Sequence, residues 1–157
     1  MPGLAARSLF SDGRGGIMRT MSPAAIIFPR PLYDEMLAHV LSGPVLEMCG
    51  LLSGRAGKVD RVWPVPNALH SPSAYRMDGP EFAEAMIGCE FEPLGIFHSH
   101  PAGPPIPSPT DIAEAAYPDS IYVVISLQNT SPGVRGFRII DEQVTEVILD
   151  ILDEVES

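Results

Sequence analysis

The chain has 157 residues, 45% of them hydrophobic, with 20 acidic against 10 basic side chains and a formal net charge of -10. That length suits one domain with a sizeable core, and the acidic balance, with a sequence pI near 4.6, argues against a binder of nucleic acid or of anionic membrane. Two cysteines, Cys49 and Cys89, lie outside any CxxC spacing, which excludes a disulfide framework and points to a reducing, cytoplasmic setting.

Residues 1–22 mix Gly, Arg and Ser without periodicity and lack the apolar block of a secretory signal, so they read as a disordered extension, with Met18 and Met21 as alternative starts. No apolar run reaches the roughly 18 residues of a membrane span. Ala24–Phe28 is predicted as a strand. Pro31 then opens a helix whose apolar face is Leu32, Met36 and Val40 with Leu37 and Leu41 beside it, ending at Gly43-Pro44. His39 falls at the rim of that stripe and reads as a surface residue. Val45–Leu52 is predicted as a buried strand, Gly54–Gly57 as a turn and Lys58–Val65 as the next strand. Glu47 is anomalous among these apolar neighbours, because an unpaired buried carboxylate is costly and tends to neutralise. Asn67–Asp78, with His70, Pro72 and Tyr75, is a polar loop long enough to border a groove, and His70 has no partner at a ligand spacing. Glu81–Glu90 is predicted as a helix with Phe82, Met86 and Cys89 inward, which makes Cys89 a core thiol. The same reading is the simplest for Cys49.

The densest chemistry lies between His98 and Asp111. Leu94–Phe97 is a short apolar run of the buried-strand kind, so His98 and His100 share one face and Ser99 takes the other. Pro101 ends the ladder, and Gly103-Pro104-Pro105 turns the chain away. Ser108-Pro109-Thr110-Asp111 has the form of a helix start, with Ser108 at the cap, Pro109 at the first helical position and Asp111 in the first turn. Two imidazoles and a carboxylate that can swing back toward them form a nitrogen and oxygen donor set suited to zinc, with a fourth position open for water or substrate. The same residues also serve as an ordinary strand end and capping box, and each half alone fits that reading as well. Ile112–Ala116 continues the helix until Pro118 closes it, and Ile121–Leu127 is a β-branched central strand. Asn129–Gly133 is a turn; Val134–Ile140 and Val144–Leu152 form a hairpin around Asp141-Glu142, the last segment having a helical alternative. Residues 153–157 are an acidic tail.

His98-x-His100-Pro101, six residues, Ser108, two residues and Asp111 resembles the JAMM (MPN-plus) metalloprotease signature, and Glu47 in Glu47-Met48-Cys49-Gly50-Leu51-Leu52 matches that family's upstream glutamate. The likeness extends to Pro66-Asn67, Gly95-Ile96-Phe97 and Tyr122–Leu127 and covers roughly residues 24–150. It implies a single α/β MPN domain over residues 23–152, cytidine-deaminase-like, with a curved mixed sheet flanked by about three helices. It also implies one zinc ion per chain on His98, His100 and Asp111. Glu47 would then take a proton from the attacking water and pass it to the leaving amine, and Ser108 would donate to the oxyanion.

Eukaryotic relatives that cut ubiquitin isopeptides carry large insertions, for which the run after Asp111 is too short. The chain looks more like compact prokaryotic members, which resemble peptidases acting at the C-terminal glycine of a ubiquitin-like or sulfur-carrier protein and releasing cysteine or a conjugated lysine. An extended Gly-Gly tail would suit strand addition at a free sheet edge beside the zinc. Neither nucleic acid nor membrane is expected as a partner, and pairing of two copies is left open. Two rival readings use the same motif. A non-catalytic MPN-like scaffold has no chemical need for Glu47, His98, His100 and Asp111 together. A RadC-like protein shares His-x-His-Pro and Ser-x-x-Asp, but the chain lacks a helix-hairpin-helix region.

Overall fold

Strands form in this chain where alternate apolar side chains can be buried, and the two faces of the sheet bury different sets. The computed structural model describes residues 25–153, so the expected extension over 1–22 and nearly all of the expected acidic tail lie outside the described residues. In chain order the elements are β1 (Ala25–Pro29), α1 (Arg30–Leu41), β2 (Cys49–Arg55), β3 (Lys58–Val65), α2 (Gly79–Gly88), β4 (Gly95–His100), α3 (Pro109–Glu114), β5 (Ile121–Ser126), β6 (Gly133–Ile140) and β7 (Gln143–Leu152). None of the described helices is long and apolar enough to cross a membrane.

The sheet is mixed, with β4–β5 and β1–β7 parallel and β2–β3, β2–β4, β5–β6 and β6–β7 antiparallel. The expected curved sheet proves to be closed: the order β1-β3-β2-β4-β5-β6-β7 returns on itself through the β7–β1 pairing. Closure on the other side is thin, with Ile27 opposite Lys58 and the Ile27 N–H donating to Gly57 O at 2.8 Å.

Phe97 on β4 joins Leu52, Val123 and Ile125 on the face that packs against Met36 and Val40 of α1. Ile96 joins Leu51, Val65 and Tyr122 on the opposite face, against Ala85 and Cys89 at α2, with Ile112 and Ala115 near α3 packed on it. Burying a side chain of this size contributes roughly 1.5–3 kcal/mol, so the apolar members fix the register of β4. His98 and His100, two and four residues beyond Ile96, then must emerge on the α2 and α3 side.

Several boundaries differ from expectation. The strand expected from Val45 begins only at Cys49, and Val45 is 73% exposed. The intervening backbone is bonded elsewhere: the Glu47 N–H donates to Ser71 O and the Met48 N–H to Ser99 Oγ, both at 2.9 Å. The turn expected at Gly54–Gly57 is tighter, with Gly54 inside β2 at a register shift and Ala56 and Gly57 at positive φ (53° and 77°), as a two-residue primed hairpin turn requires. Leu41, expected on the apolar side of α1, is 50% exposed. The second helix ends before Cys89, because Glu90 and Phe91 take left-handed conformations (φ 55° and 62°) that no helix continues. The third stops at Glu114 rather than Ala116; the Ala116 and Tyr117 N–H groups both donate to Tyr122 Oη at 3.1 Å, and Pro118 disfavours helical backbone before it. The last segment is strand β7, not helix, joined to β6 by Asp141 and Glu142 at φ 50° and 65°.

Gly54 marks the tightest point of the β2–β3 hairpin. A Cβ there would run into the carbonyl oxygen of Lys58, which is backbone and cannot swing aside. Gly54→Ala is therefore expected to lower stability by about 2–3 kcal/mol. Gly79→Ala, which meets no atom within 4 Å but sits at φ 86°, should lose only about 1 kcal/mol through backbone strain. Denaturant unfolding of the two variants checks the ranking.

Candidate metal centre

The end of β4 and the start of α3 bring three donor atoms to one point. His98 Nε2 lies 3.1 Å from His100 Nε2 and 3.0 Å from Asp111 Oδ2, and His100 Nε2 lies 3.1 Å from the same oxygen. His98 and His100 are buried and Asp111 nearly so. Asp111 is aimed by a capping box: the Ser108 N–H donates to Asp111 Oδ2 at 2.8 Å, and Ser108 Oγ accepts from the Asp111 N–H at 3.1 Å. His100 is aimed by its other nitrogen, which lies 2.8 Å from Pro104 O. A carbonyl only accepts, so His100 carries its proton on Nδ1 and its neutral ring presents a lone pair at Nε2. The loop that carries Pro104 is tied to the barrel through Ser126 Oγ, which donates to Gly103 O at 2.6 Å.

A lone pair facing another nitrogen and a carboxylate oxygen at about 3 Å is repulsive unless a proton or a metal cation lies among them. Burial pushes the His100 imidazole down, but hydrogen bonding to Asp111 and Pro104 outweighs it and raises its pKa. Burial also dominates at His98, whose pKa is lowered against the pull of Asp111, so this ring stays neutral. Burial pushes the Asp111 carboxyl up, yet the facing imidazoles and the Ser108 N–H hold it well below the usual carboxylate range. Two imidazoles and one ionised carboxylate thus compete for positive charge. The donors fit zinc in kind and spacing, since ligands about 2.0–2.1 Å from a tetrahedral zinc stand roughly 3.3 Å from each other. Among the described residues no other cluster of three His, Cys, Asp or Glu donors appears.

Glu47 is buried at 5% exposure, and its Oε1 has no hydrogen-bond partner among the described residues. Burial raises its pKa to about 7, the His100 imidazole opposing and Asp111 reinforcing the shift. With His100 and Ser108 it lines a cavity of about 410 Å³ walled by Pro72, Ala102, Pro104 and Ile106. A second cavity of about 260 Å³ is lined by Asp111 with Tyr75, Met77, Phe82, Tyr117 and Tyr122. His100 thus borders the first recess and Asp111 the second.

Glu47, His98, His100, Ser108 and Asp111, picked out from sequence, are thus neighbours in space. Cys49 pairs with His98 across β2 and β4, but its buried thiol donates to Val65 O at 3.4 Å, and burial pushes its pKa up to about 12. His39 lies on the far side of β4 with its ring edge on Phe97. Two residues of the groove-bordering loop, Tyr75 and Asn67, were named from sequence without the roles they take here. Tyr75 stacks on His98, ring centroids 4.5 Å apart and planes 26° apart. Asn67 is buried, and its amide donates to Glu47 O at 3.0 Å and Ala74 O at 2.9 Å while its oxygen accepts from the Leu69 and Arg76 N–H groups. A buried Asn at the mouth of a long loop is the one signal that could have found the second.

The raised pKa of Glu47 has a sign that can be tested. Between pH 4.5 and about 7 the folded chain keeps a proton on Glu47 that the unfolded chain has lost, so stability falls as pH rises through that window. In zinc-free protein, Glu47→Gln should change stability by under about 0.5 kcal/mol at pH 4 and raise it by about 1–2 kcal/mol at pH 8. Denaturant titrations at the two pH values measure both numbers.

Comparison with known proteins agrees with this geometry. The family described as prokaryotic homologs of the JAB domain matches residues 29–140. A probable TtuB-protein conjugate cleaving protease of Thermus thermophilus is 38% identical over 148 residues, covering 92% of this chain and 95% of the relative. A CysO-cysteine peptidase of Mycobacterium bovis is 32% identical over 144 residues, covering 88% and 99%. Among solved structures, protein DSY2949 of Desulfitobacterium hafniense aligns with a TM-score of 0.73 at 35% identity, over 83% of this chain and 95% of that one. The fold of a structure described as a JAMM metalloprotease-like zinc site in the proteasome and signalosome aligns with a TM-score of 0.55 at 17% identity, over 82% and 99%. The barrel, the helices flanking it and the signature from Glu47 to Asp111 place the chain in the JAB/MPN fold, and it belongs to the family of prokaryotic JAB-domain homologs.

Proposed function

We propose that the chain is a zinc-dependent peptidase that hydrolyses the amide or isopeptide bond at the C-terminal glycine of a ubiquitin-like or sulfur-carrier protein, releasing cysteine or a conjugated lysine. The observation that carries this reading is the convergence of His98, His100 and Asp111 beside a buried Glu47 with an unpartnered oxygen. The names of the two relatives, one acting on TtuB conjugates and one on CysO-cysteine, support the substrate class. In this reading one zinc ion sits on His98, His100 and Asp111 and supplies Lewis-acid activation of water and of the scissile carbonyl.

The chain's own residues do the rest. Glu47, whose carboxyl burial holds above the ordinary carboxylate range in the metal-free chain, takes a proton from the attacking water and returns it to the leaving amine. Ser108 Oγ accepts from the Asp111 N–H, which leaves the hydroxyl proton free to be donated to the oxyanion. The tail has little room to add to β4 as a strand, because β4 is paired with β5 from Gly95 to His100 and with β2 from Gly95 to His98. The cavity that holds Glu47, His100 and Ser108 is the place for it instead, and glycines at the scissile end let the backbone approach the donors closely. The same reading takes residues 23–152 as the peptidase domain, between an extension and an acidic tail, in a cytoplasmic setting and with the wider cytidine-deaminase-like kinship of the fold. Pairing of two copies forms no part of it.

The test joins zinc analysis of the purified protein to a cleavage assay on a carrier protein bearing a C-terminal cysteine or an isopeptide-linked lysine. Wild type is expected to hold one zinc per chain and cleave. Glu47→Gln should keep zinc and lose about 10²–10⁴-fold in turnover, while Ser108→Ala should lose about 10²-fold. Wild type that stays zinc-free and inert with zinc supplied would return the scaffold reading.

A further inference from the structure

The two imidazoles of the donor set are held by different means. His100 is locked by its Nδ1–H bond to Pro104 O at 2.8 Å, the usual way in which a metal-ligating histidine is oriented through its second nitrogen. His98 has no such bond among the described residues: it is 1% exposed, and its Nδ1 is buried without a hydrogen-bond partner there. One flat face of its ring is instead covered by Tyr75 at 4.5 Å, and its other aromatic neighbour, His100, meets it at 64° rather than in a stack.

Tyr75 is itself fixed by its backbone. The peptide groups on both sides of it are bound to Asn67, whose amide donates to Ala74 O at 2.9 Å and whose oxygen accepts from the Arg76 N–H at 3.1 Å. A loop residue gripped before and after cannot drift, so its ring is a fixed wall. Offset stacking of flat rings constrains tilt and rotation as a hydrogen bond does, without needing an acceptor.

We propose that Tyr75 is the positioning residue of His98: its stacked ring fixes the plane of an imidazole whose second nitrogen is unpartnered, and so sets the affinity of the donor cluster for zinc. This rests on the reading of His98, His100 and Asp111 as the zinc ligands. The effective part is the aromatic ring, not the hydroxyl.

The experiment titrates zinc into metal-free wild type, Tyr75→Phe and Tyr75→Leu against a chromophoric chelator, and records imidazole proton NMR spectra of the zinc-loaded samples. Tyr75→Phe should bind zinc within about twofold of wild type, and Tyr75→Leu about tenfold or more weakly. The His98 ring protons should show an upfield ring-current shift in wild type and Tyr75→Phe that is lost in Tyr75→Leu, with the His100 signals unmoved. Wild type that fails to bind zinc overturns this proposal together with the metal reading. If wild type binds zinc but Tyr75→Leu binds as tightly, or Tyr75→Phe weakens as much as Tyr75→Leu, the positioning role is overturned and the metal reading stands. Should Tyr75→Leu fail to fold, absence of the upfield shift in wild type overturns the role by itself.

Discussion

Convergence of three electron-rich atoms, His98 Nε2, His100 Nε2 and Asp111 Oδ2, within about 3 Å of one another is the constraint around which this site is built. They tolerate that spacing only while a proton or a metal cation is shared among them, so the scaffold has to hold them. It does so with forces that are indifferent to the donors. The register of β4 is set by Phe97 and Ile96, buried on opposite faces, and the two histidines inherit their position from that register. Asp111 is turned inward by a helix cap, an interaction worth about 1 kcal/mol that any short helix could use. A rigid apolar frame thus carries a polar cluster that would not assemble alone.

The second shell of this frame converges on one buried amide. Asn67 binds the Glu47 carbonyl and both peptide groups beside Tyr75, so the segment before β2 and the loop before α2 move as one piece. The Glu47 N–H completes the link by donating to Ser71 O in the same loop. A carboxylate and an aromatic wall on two sides of the cluster are therefore fixed relative to each other by a side chain that touches neither functional group. Leaving the buried Asn67 amide and its four partners unpaired is costly, which is why a loop with so many exposed residues can still hold a defined shape.

What could be read in the sequence was local. The strand-end histidines and the Ser108 cap depend on spacing of two and three residues, and periodicity carries such spacing faithfully. The late start of β2 was not legible, because the bonds that pull Glu47 and Met48 out of the ladder come from Ser71 and Ser99, far along the chain. Barrel closure was hidden for the same reason: β1 and β7 stand at opposite ends of the described chain, and their parallel pairing leaves no local pattern. Closure leaves β4 unaffected, since it stands between β2 and β5 in the strand order whether or not the ladder closes. The loop of Tyr75 was legible as the border of a groove, but its stacking on His98 was not, since a single aromatic in a polar loop has no period to betray its face.

Glu47 is where stability and chemistry part company. A carboxyl in solution ionises near 4.5; here, shielded from water and beside Asp111, it does so at about 7. Keeping it buried with an unpartnered oxygen weakens the fold above that pH, and any uncharged residue of its size would pack there more comfortably. A carboxylate with its ordinary pKa would remain ionised at neutral pH but hold a proton too weakly to deliver it efficiently, whereas one near 7 both accepts and returns it. The same reasoning applies to Ser108, whose cap uses the oxygen's lone pair and leaves the hydroxyl proton unspent. On the proposed reading, both residues keep available the one proton that hydrolysis would need, and that is what separates a cluster arranged for turnover from one that only binds metal.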